Sequence, residues 1–541
     1  MDAGHRKCWT AFSLTASLAI AVGCTSPVST TDEPGTGGSH AGAGGNTGTG
    51  GGAGTTAGGA GTSHATGGAA GSGGATGGAT AIGGAGGSAT GAAGASGEGG
   101  AGGGAGSGGA AAGGAGAGGA TAGTSGRGGA AGTAAAGTGG SGGGTGAGGA
   151  AAVAVENQSA DCAVAALPAA SALPKIAKLP DPFLKLNGAR VASKAEWRCR
   201  RQEIRKQAEA YILGAKPMPD VVTGTVSGTK ITVHVEAKGK AIDFSVTVKL
   251  PATGKAPYPA LINVGTTNTL GESRILDQGV AVIVYNNYDL GKEGTAEQSR
   301  GKPNTGKYYD IYGGTDPAGL LMAWAWGASR LLDVMQQSGG AMFDLTGIGV
   351  TGCSRWGKGA FTIGVFDDRI ALTIPQEPST GGDPALRIMD KLPGAERTDY
   401  NYNGLNWLSD NFAPFVFANN TSNAVKLPID THALIGMMAP RGLLVLENPH
   451  QTQMGAPAGH MATLAGLEIY KALGVEKNVS YHSDVADMAH CSYKNEYTDV
   501  LVKSIAAFLK HTGDPPGLIK VGANGSVNRA DWIDWTAPTL Q

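Results

Sequence analysis

An excess of charge of either sign is what this chain lacks: 40 Lys and Arg against 41 Asp and Glu leave a net charge of −1 over 541 residues. That balance excludes the basic face a nucleic-acid binder needs, so no nucleic-acid partner is expected. After the amino-terminal segment no apolar run is long enough to span a bilayer. From about residue 33 to residue 152, large apolar side chains are nearly missing, because the stretch is almost entirely Gly, Ala, Ser and Thr. With nothing to bury it cannot build a core, and without a Pro-bearing Gly-X-Y period it is not collagen. It reads as a disordered, Gly-rich tether. A Cys/His cluster with ligand spacing is also lacking, so no metal and no cofactor are expected.

What is present begins with an export signal. His5-Arg6-Lys7 is a basic start, Ala11 to Val22 is apolar, and Ala21-Val22-Gly23-Cys24 has the form of a lipobox with Cys24 as the lipidated residue. The alternative is a plain secretory peptide cleaved near Gly23. The expected organisation is a signal over 1–24, a linker over 25–160, a globular domain over 161–513 and a carboxy-terminal tail over 514–541. Contact with a membrane is expected only through the lipid, and the chain is expected to act as a monomer.

Within the globular part, Ser193-Lys194-Ala195-Glu196 is a capping box that opens a helix running to about Leu213. Val221 to Leu250 alternates apolar and polar residues and predicts an antiparallel meander. Short apolar runs at Tyr258–Val264, Ala281–Tyr285, Gly347–Val350, Ile370–Pro375 and Gly442–Leu446 predict buried, mostly parallel strands. Helical patterns lie between and after them at Ala318–Met335, Met461–Leu473 and Tyr497–Leu509. Strands alternating with helices predict a three-layer αβα sandwich. In the tail, Trp532 and Trp535 are expected to pack back on the domain; the other reading is a ligand platform.

The richest stretch is Thr351-Gly352-Cys353-Ser354-Arg355-Trp356-Gly357-Lys358-Gly359-Ala360. An apolar strand leads into it and a helical pattern follows, so Ser354 sits at the apex of a sharp turn. There its hydroxyl can attack an acyl carbon while the next N–H stabilises the oxyanion. The spacing is Gly-x-Ser-x-x-Gly rather than Gly-x-Ser-x-Gly. In α/β-hydrolases the order along the chain is Ser, acid, His. His490 fits as the base, lying between the strand-like run Val479–His482 and the last helix. His432, His450, His460 and His482 are worse placed. Candidate acids are Glu377 and Glu447, each after a strand, with Asp484 and Asp487 near His490 in sequence.

Four cysteines fall in the globular part, which in an exported domain reads as two disulfides with three possible pairings. Cys353 neighbours the candidate nucleophile and Cys491 the candidate base. A Cys353–Cys491 bridge would staple the two loops together, leaving Cys162 with Cys199.

These motifs together resemble the glucuronoyl esterases, carbohydrate esterase family 15. Gly352 to Ala360 resembles that family's nucleophile signature, Asp368 to Glu377 its following stretch, and His490-Cys491 its His-Cys. Leu179 to Phe183, Glu196-Trp197-Arg198-Cys199-Arg200 and Ala323 to Gly327 are similar to further family segments. The resemblance implies an α/β-hydrolase that cleaves esters of (4-O-methyl-)glucuronic acid on glucuronoxylan, including links to lignin alcohols. It implies Ser354 as nucleophile, His490 as base and Glu377 as acid, with Glu447 in the alternative acid position. Arg355 is implied in the oxyanion site and Lys358 on the sugar hydroxyls. A loop N–H from Gly265 to Thr267, after an early strand, is the second oxyanion donor expected from the mechanism. Two departures stand out. Asn403 to Leu408 lacks the family's sugar-contacting Glu, and Glu447 to Thr452 lacks its Asp and Trp. An acetyl or feruloyl esterase, and a non-catalytic carbohydrate-binding protein, are the alternative readings.

Overall fold

The computed structural model describes residues 155–293 and 301–541. The expected signal, Cys24 and the Gly-rich stretch up to residue 154 lie outside the described residues. Among the described residues no helix is long and apolar enough to cross a membrane.

Ten strands form one sheet among the described residues: β1 (Val221–Val226), β2 (Lys230–Ala237), β3 (Lys240–Lys249), β4 (Tyr258–Val264), β5 (Ala281–Tyr285), β6 (Phe343–Cys353), β7 (Leu372–Gln376), β8 (Gly442–Leu446), β9 (Val479–His482) and β10 (Ile519–Lys520). Their order is β1-β2-β3-β5-β4-β6-β7-β8-β9-β10. The meander β1 to β3 joins β5 antiparallel, and from β5 to β10 every pairing is parallel. Parallel neighbours cannot be joined by a tight turn, so helices fill the crossovers. α1 (Lys194–Ala208) precedes β1; the crossovers carry α2 (Glu272–Leu276), α3 (Lys307–Tyr312), α4 (Leu320–Gln337), α5 (Arg355–Phe366), α6 (Leu386–Met389), α7 (Thr398–Asn403), α8 (Thr431–Met438), α9 (Ala456–Leu473) and α10 (Thr498–Phe508).

The apolar strands alternate between two cores. In β4, Ala260, Ile262 and Val264 face the larger core with α4, α5, α8 and α9, whereas Leu261 faces the smaller one under α2 and α10. Both faces of the sheet are therefore covered, which is why these strands read as continuous apolar runs. The α/β-hydrolase sandwich expected from the strand–helix alternation is the fold observed. Ser193 accepts the Glu196 N–H at 3.2 Å, as its capping box requires. That helix ends in one π turn over Glu209–Leu213.

The ends of the domain reach further than composition indicated. Glu156, placed in the linker by composition, is ion-paired with Lys216 at 2.8 Å and with Arg330. Its pKa is held below the usual carboxylate value by those cations, against the opposing effect of burial. Residues 514–541, expected to be a tail, return to the sheet through β10 and to the core through Trp535. Trp535 donates to the Leu179 carbonyl at 2.8 Å and stacks on His432, so it packs the core and is no ligand platform. Trp532 is partly buried against the same core, under the Lys391 ammonium.

Candidate active site

β6 ends at Cys353 and α5 starts at Arg355, so Ser354 alone makes the turn, with φ 58° and ψ −127°. A positive φ is costly for a residue with a side chain and persists only where the surroundings impose it. Here the Ser354 N–H donates to the Gln376 carbonyl at 2.9 Å, and its own carbonyl accepts the Lys358 N–H at 3.0 Å. The unusual glycine spacing has a steric reason. A Cβ on Gly352 would lie 2.4 Å from the Trp356 carbonyl oxygen, and one on Gly357 would lie 2.8 Å from that of Gln376. Both glycines therefore stand where the first turn of the helix packs against the strand ends.

The histidine loop is brought to this turn by a disulfide. Cys353 and Cys491 are bonded with their Cα atoms 5.7 Å apart, across 138 residues of sequence. Cys162 and Cys199 form the second bridge, so both expected pairings are present. The half-buried His490 places Nε2 3.5 Å from the Cys491 sulfur and Nδ1 2.7 Å from Glu377 Oε2. That oxygen also accepts the Cys491 N–H at 3.2 Å. Glu377 is fully buried at the end of β7, with Lys494 Nζ 3.9 Å from its other oxygen. Cys353, His490 and Cys491 cluster closely enough to suggest metal ligands. Both sulfurs are consumed in the bridge, which removes the thiolates such a site would need.

Glu447, the alternative acid, is also fully buried, but neither of its oxygens has a partner. It faces Asp383, which is in the same condition: a Cβ on Gly459 would touch Asp383 Oδ2 at 2.8 Å and Glu447 Oε1 at 3.2 Å. Burial pushes the Asp383 carboxyl up to about 7. Burial, then the charges of Asp383 and Glu377, push Glu447 well above the carboxylate range. Glu447 is therefore a proton-holding neighbour, and Glu377 is the carboxylate on the histidine. Asp484 pairs with Lys520 at 3.1 Å and Asp487 with Lys494 at 3.3 Å, so neither serves His490. The other histidines are engaged elsewhere: His432 with Pro180, His450 with Val485, His482 with Asp484, and His460 against Tyr481.

The oxyanion candidates narrow as well. The Gly265 N–H already donates to the Tyr285 carbonyl at 2.9 Å, so the expected loop donor shifts to Thr266 or Thr267. Asn263 holds that loop through the Gly265 and Thr267 carbonyls at 3.1 and 3.3 Å. The Arg355 N–H opens α5 and is one of the donors a helix start leaves without an intrahelical partner. Its guanidinium binds Glu293 Oε1 at 2.5 Å. Lys358 is almost fully buried, donates to the Pro378 carbonyl at 2.5 Å, and lies 3.4 Å from Glu396 Oε2. Its ammonium stands 4.7 Å over the Trp407 ring. Burial lowers its pKa to about 8, so it is charged below that pH. A cleft of about 640 Å³ opens beside Glu396, bordered by Arg397, Asp399 and Tyr400.

Sequence reasoning missed Glu293, Trp407, Glu396, Asp383 and Lys494 as members of this site. Each comes from a loop far from Ser354 in the chain, and only Trp407 stood in a stretch the family resemblance singled out.

The chain is similar to several known esterases. A family model for the glucuronyl esterase of fungi matches residues 233–474. The 4-O-methyl-glucuronoyl methylesterase of Hypocrea jecorina is 38% identical over 386 residues, spanning 69% of this chain and 79% of the relative. The enzyme of the same name from Thermothelomyces thermophilus is 40% identical over 373 residues, spanning 67% and 89%. A serine-to-alanine mutant of the Sporotrichum thermophile glucuronoyl esterase, solved with methyl 4-O-methyl-β-D-glucopyranuronate, matches with a TM-score of 0.62 at 38% identity. That match covers 68% of this chain and 97% of the solved one. A carbohydrate esterase family 15 glucuronoyl esterase from Caldicellulosiruptor kristjansonii matches at 0.57 and 25% identity, covering 68% and 99%.

The Asp383–Glu447 pair makes a testable demand on stability. A carboxyl whose folded pKa is raised stabilises the fold below its unfolded pKa, and that contribution is lost as pH rises through about 7. Asp383→Asn removes the titration. Urea unfolding at pH 4.5 and pH 8 is expected to show the variant gaining about 2–4 kcal/mol on the wild type across that range. An offset between the two proteins that does not change with pH would show that Asp383 titrates normally.

Proposed function

The chain belongs to the glucuronoyl esterases, carbohydrate esterase family 15, and from that premise we propose that it hydrolyses esters of (4-O-methyl-)glucuronic acid in glucuronoxylan, including those to lignin alcohols. The observation that carries the reading is the 2.7 Å contact of His490 with buried Glu377, on a loop bonded through Cys491 to the residue before Ser354.

The reaction is acyl transfer in two steps. Ser354 Oγ attacks the C6 carbonyl of the uronate, and His490 Nε2 takes the hydroxyl proton. Glu377 accepts the hydrogen bond from Nδ1–H, which keeps Nε2 free as the base and stabilises the imidazolium that forms. Charge developing on the carbonyl oxygen meets the Arg355 N–H, a Thr266 or Thr267 N–H and the Arg355 guanidinium, in a setting partly closed to water. The C–O bond to the alcohol then breaks, and His490 returns its proton to the departing oxygen. Water, deprotonated by His490, attacks the glucuronoyl-serine ester and releases the acid and free Ser354. Lys358, held over Trp407, binds sugar hydroxyls.

This scheme separates the two buried glutamates. With methyl 4-O-methyl-glucuronate and its benzyl ester, alcohol release is expected to fall about 10³–10⁶-fold in Ser354→Ala and about 10²–10⁴-fold in Glu377→Gln. Glu447→Gln is expected to stay within tenfold of the wild type, a bound set by its missing contact with His490. Equal losses in Glu377→Gln and Glu447→Gln would reverse the assignment of the acid. Ser354-dependent cleavage of acetylated xylan or a feruloyl ester, with the glucuronates untouched, would move the substrate and keep the chemistry.

The reading extends to location. Residues 1–24 direct export, Cys24 carries lipid, and residues 25–160 join that anchor to the domain; composition and the lipobox support this. Cys24→Ala is expected to move the protein from the membrane fraction to the soluble exported fraction. An unchanged partition would leave a plain secretory signal.

A further inference from the structure

The Arg355 side chain is not left to solvent. It is 44% exposed, whereas the Glu293 carboxylate that holds it is 1% exposed. Glu293 follows β5, and the backbone just before it is pinned to the core. The Gly291 carbonyl accepts Trp324 Nε1 at 2.8 Å, and the Lys292 N–H donates to the Thr305 carbonyl at 2.9 Å. The charged and titratable groups facing Glu293 are Arg355, Lys358 and Tyr288; Tyr288 and Tyr400 also face Arg355. Trp407 lies beneath both cations, 5.9 Å from the Arg355 Cζ and 4.7 Å from Lys358 Nζ.

The Glu293 carboxylate is buried and also faces the Trp407 and Tyr288 side chains. Withdrawal from water disfavours its charge, and its pKa is raised despite the Arg355 guanidinium beside it. Arg355, being half exposed, would be better solvated without that partner. An unfavourable arrangement beside the nucleophile turn has a functional explanation when it removes a reorganisation the reaction would otherwise need.

We propose that Glu293 is a positioning residue that holds the Arg355 guanidinium at the Ser354 turn, ready for the oxyanion as it forms. An arginine without such a partner samples many rotamers and follows solvent, so ordering it would fall on the chemical step. With Glu293 in place that ordering is completed during folding. The role is specific to the reaction: it favours the tetrahedral intermediate over the bound ester, so it acts on kcat more than on KM. This inference rests on the reading of Arg355 as an oxyanion group.

The test uses the full chain with methyl 4-O-methyl-glucuronate, comparing wild type, Glu293→Ala, Glu293→Gln, Arg355→Ala and the Glu293→Ala/Arg355→Ala double variant. Melting curves identify any variant that fails to fold, and Glu293→Gln, of the same shape, keeps the comparison available in that case. Glu293→Ala is expected to lower kcat about 10–100-fold with KM within about threefold, and Glu293→Gln, which keeps an accepting oxygen, to recover part of the loss. Arg355→Ala is expected to lower kcat about 10²-fold, and adding Glu293→Ala to it to cost no more than about threefold. An equal loss from Glu293→Ala with and without Arg355, or no loss in a background where Arg355→Ala is impaired, overturns the positioning role. A fully active Arg355→Ala would overturn the oxyanion reading itself, which is a separate outcome.

Discussion

The covalent tie between Cys353 and Cys491 is the constraint on which the rest of this site depends. The serine turn stands at the end of β6, while the histidine lies in the loop after β9, beside a cysteine 138 residues from the bridge's first. Loops of that kind are weakly held by their own hydrogen bonds, and acyl transfer is sensitive to displacements of an ångström. The bridge sets the approach of the two loops. Glu377 then sets the angle, because one of its oxygens takes both the His490 ring and the Cys491 backbone. A single buried carboxylate thus holds both the His490 ring and the backbone of its loop.

Electrostatics around this frame are arranged at the expense of stability. Three buried carboxyls, Glu377, Glu447 and Asp383, lie close together; Lys358 acts on the last two from a distance, whereas Glu377 has Lys494 3.9 Å from one oxygen and the His490 ring on the other. Burial raises the pKa of the other two, which favours their neutral forms over that of Glu377. Beside the serine turn, Glu293 and Arg355 form a second pairing, a buried carboxylate on a half-exposed guanidinium. Lys358 is buried to the point that its own charge is weakened, yet Glu396 and the face of Trp407 retain it.

Much of this was legible in the chain before any coordinates. The nucleophile turn and the base announce themselves locally, through glycine spacing and through two cysteines whose neighbours are Ser354 and His490. The sheet was legible because buried parallel strands need unbroken apolar runs. The choice between Glu377 and Glu447 was open, since both follow strands and both are buried; only direction and distance to His490 separate them. Glu293, Asp383 and Lys494 carry no local signature, because their roles arise from loop positions that the sheet brings together. The domain's limits were misread for a related reason. Glu156 stands in a Gly- and Ala-rich neighbourhood, and Trp535 follows a Pro-rich stretch, yet each is held by partners far away in sequence. Composition reports what a segment can bury on its own, and these segments are anchored by single residues.

The most direct test of the account is the steady-state kinetics of a Cys353→Ala/Cys491→Ala double variant on methyl 4-O-methyl-glucuronate, assayed well below its melting temperature. If the bridge sets the serine–histidine approach, kcat falls at least about tenfold while KM changes little. A folded variant with the kcat of the wild type would show that the loops find their places without the bond, and that the central constraint lies elsewhere.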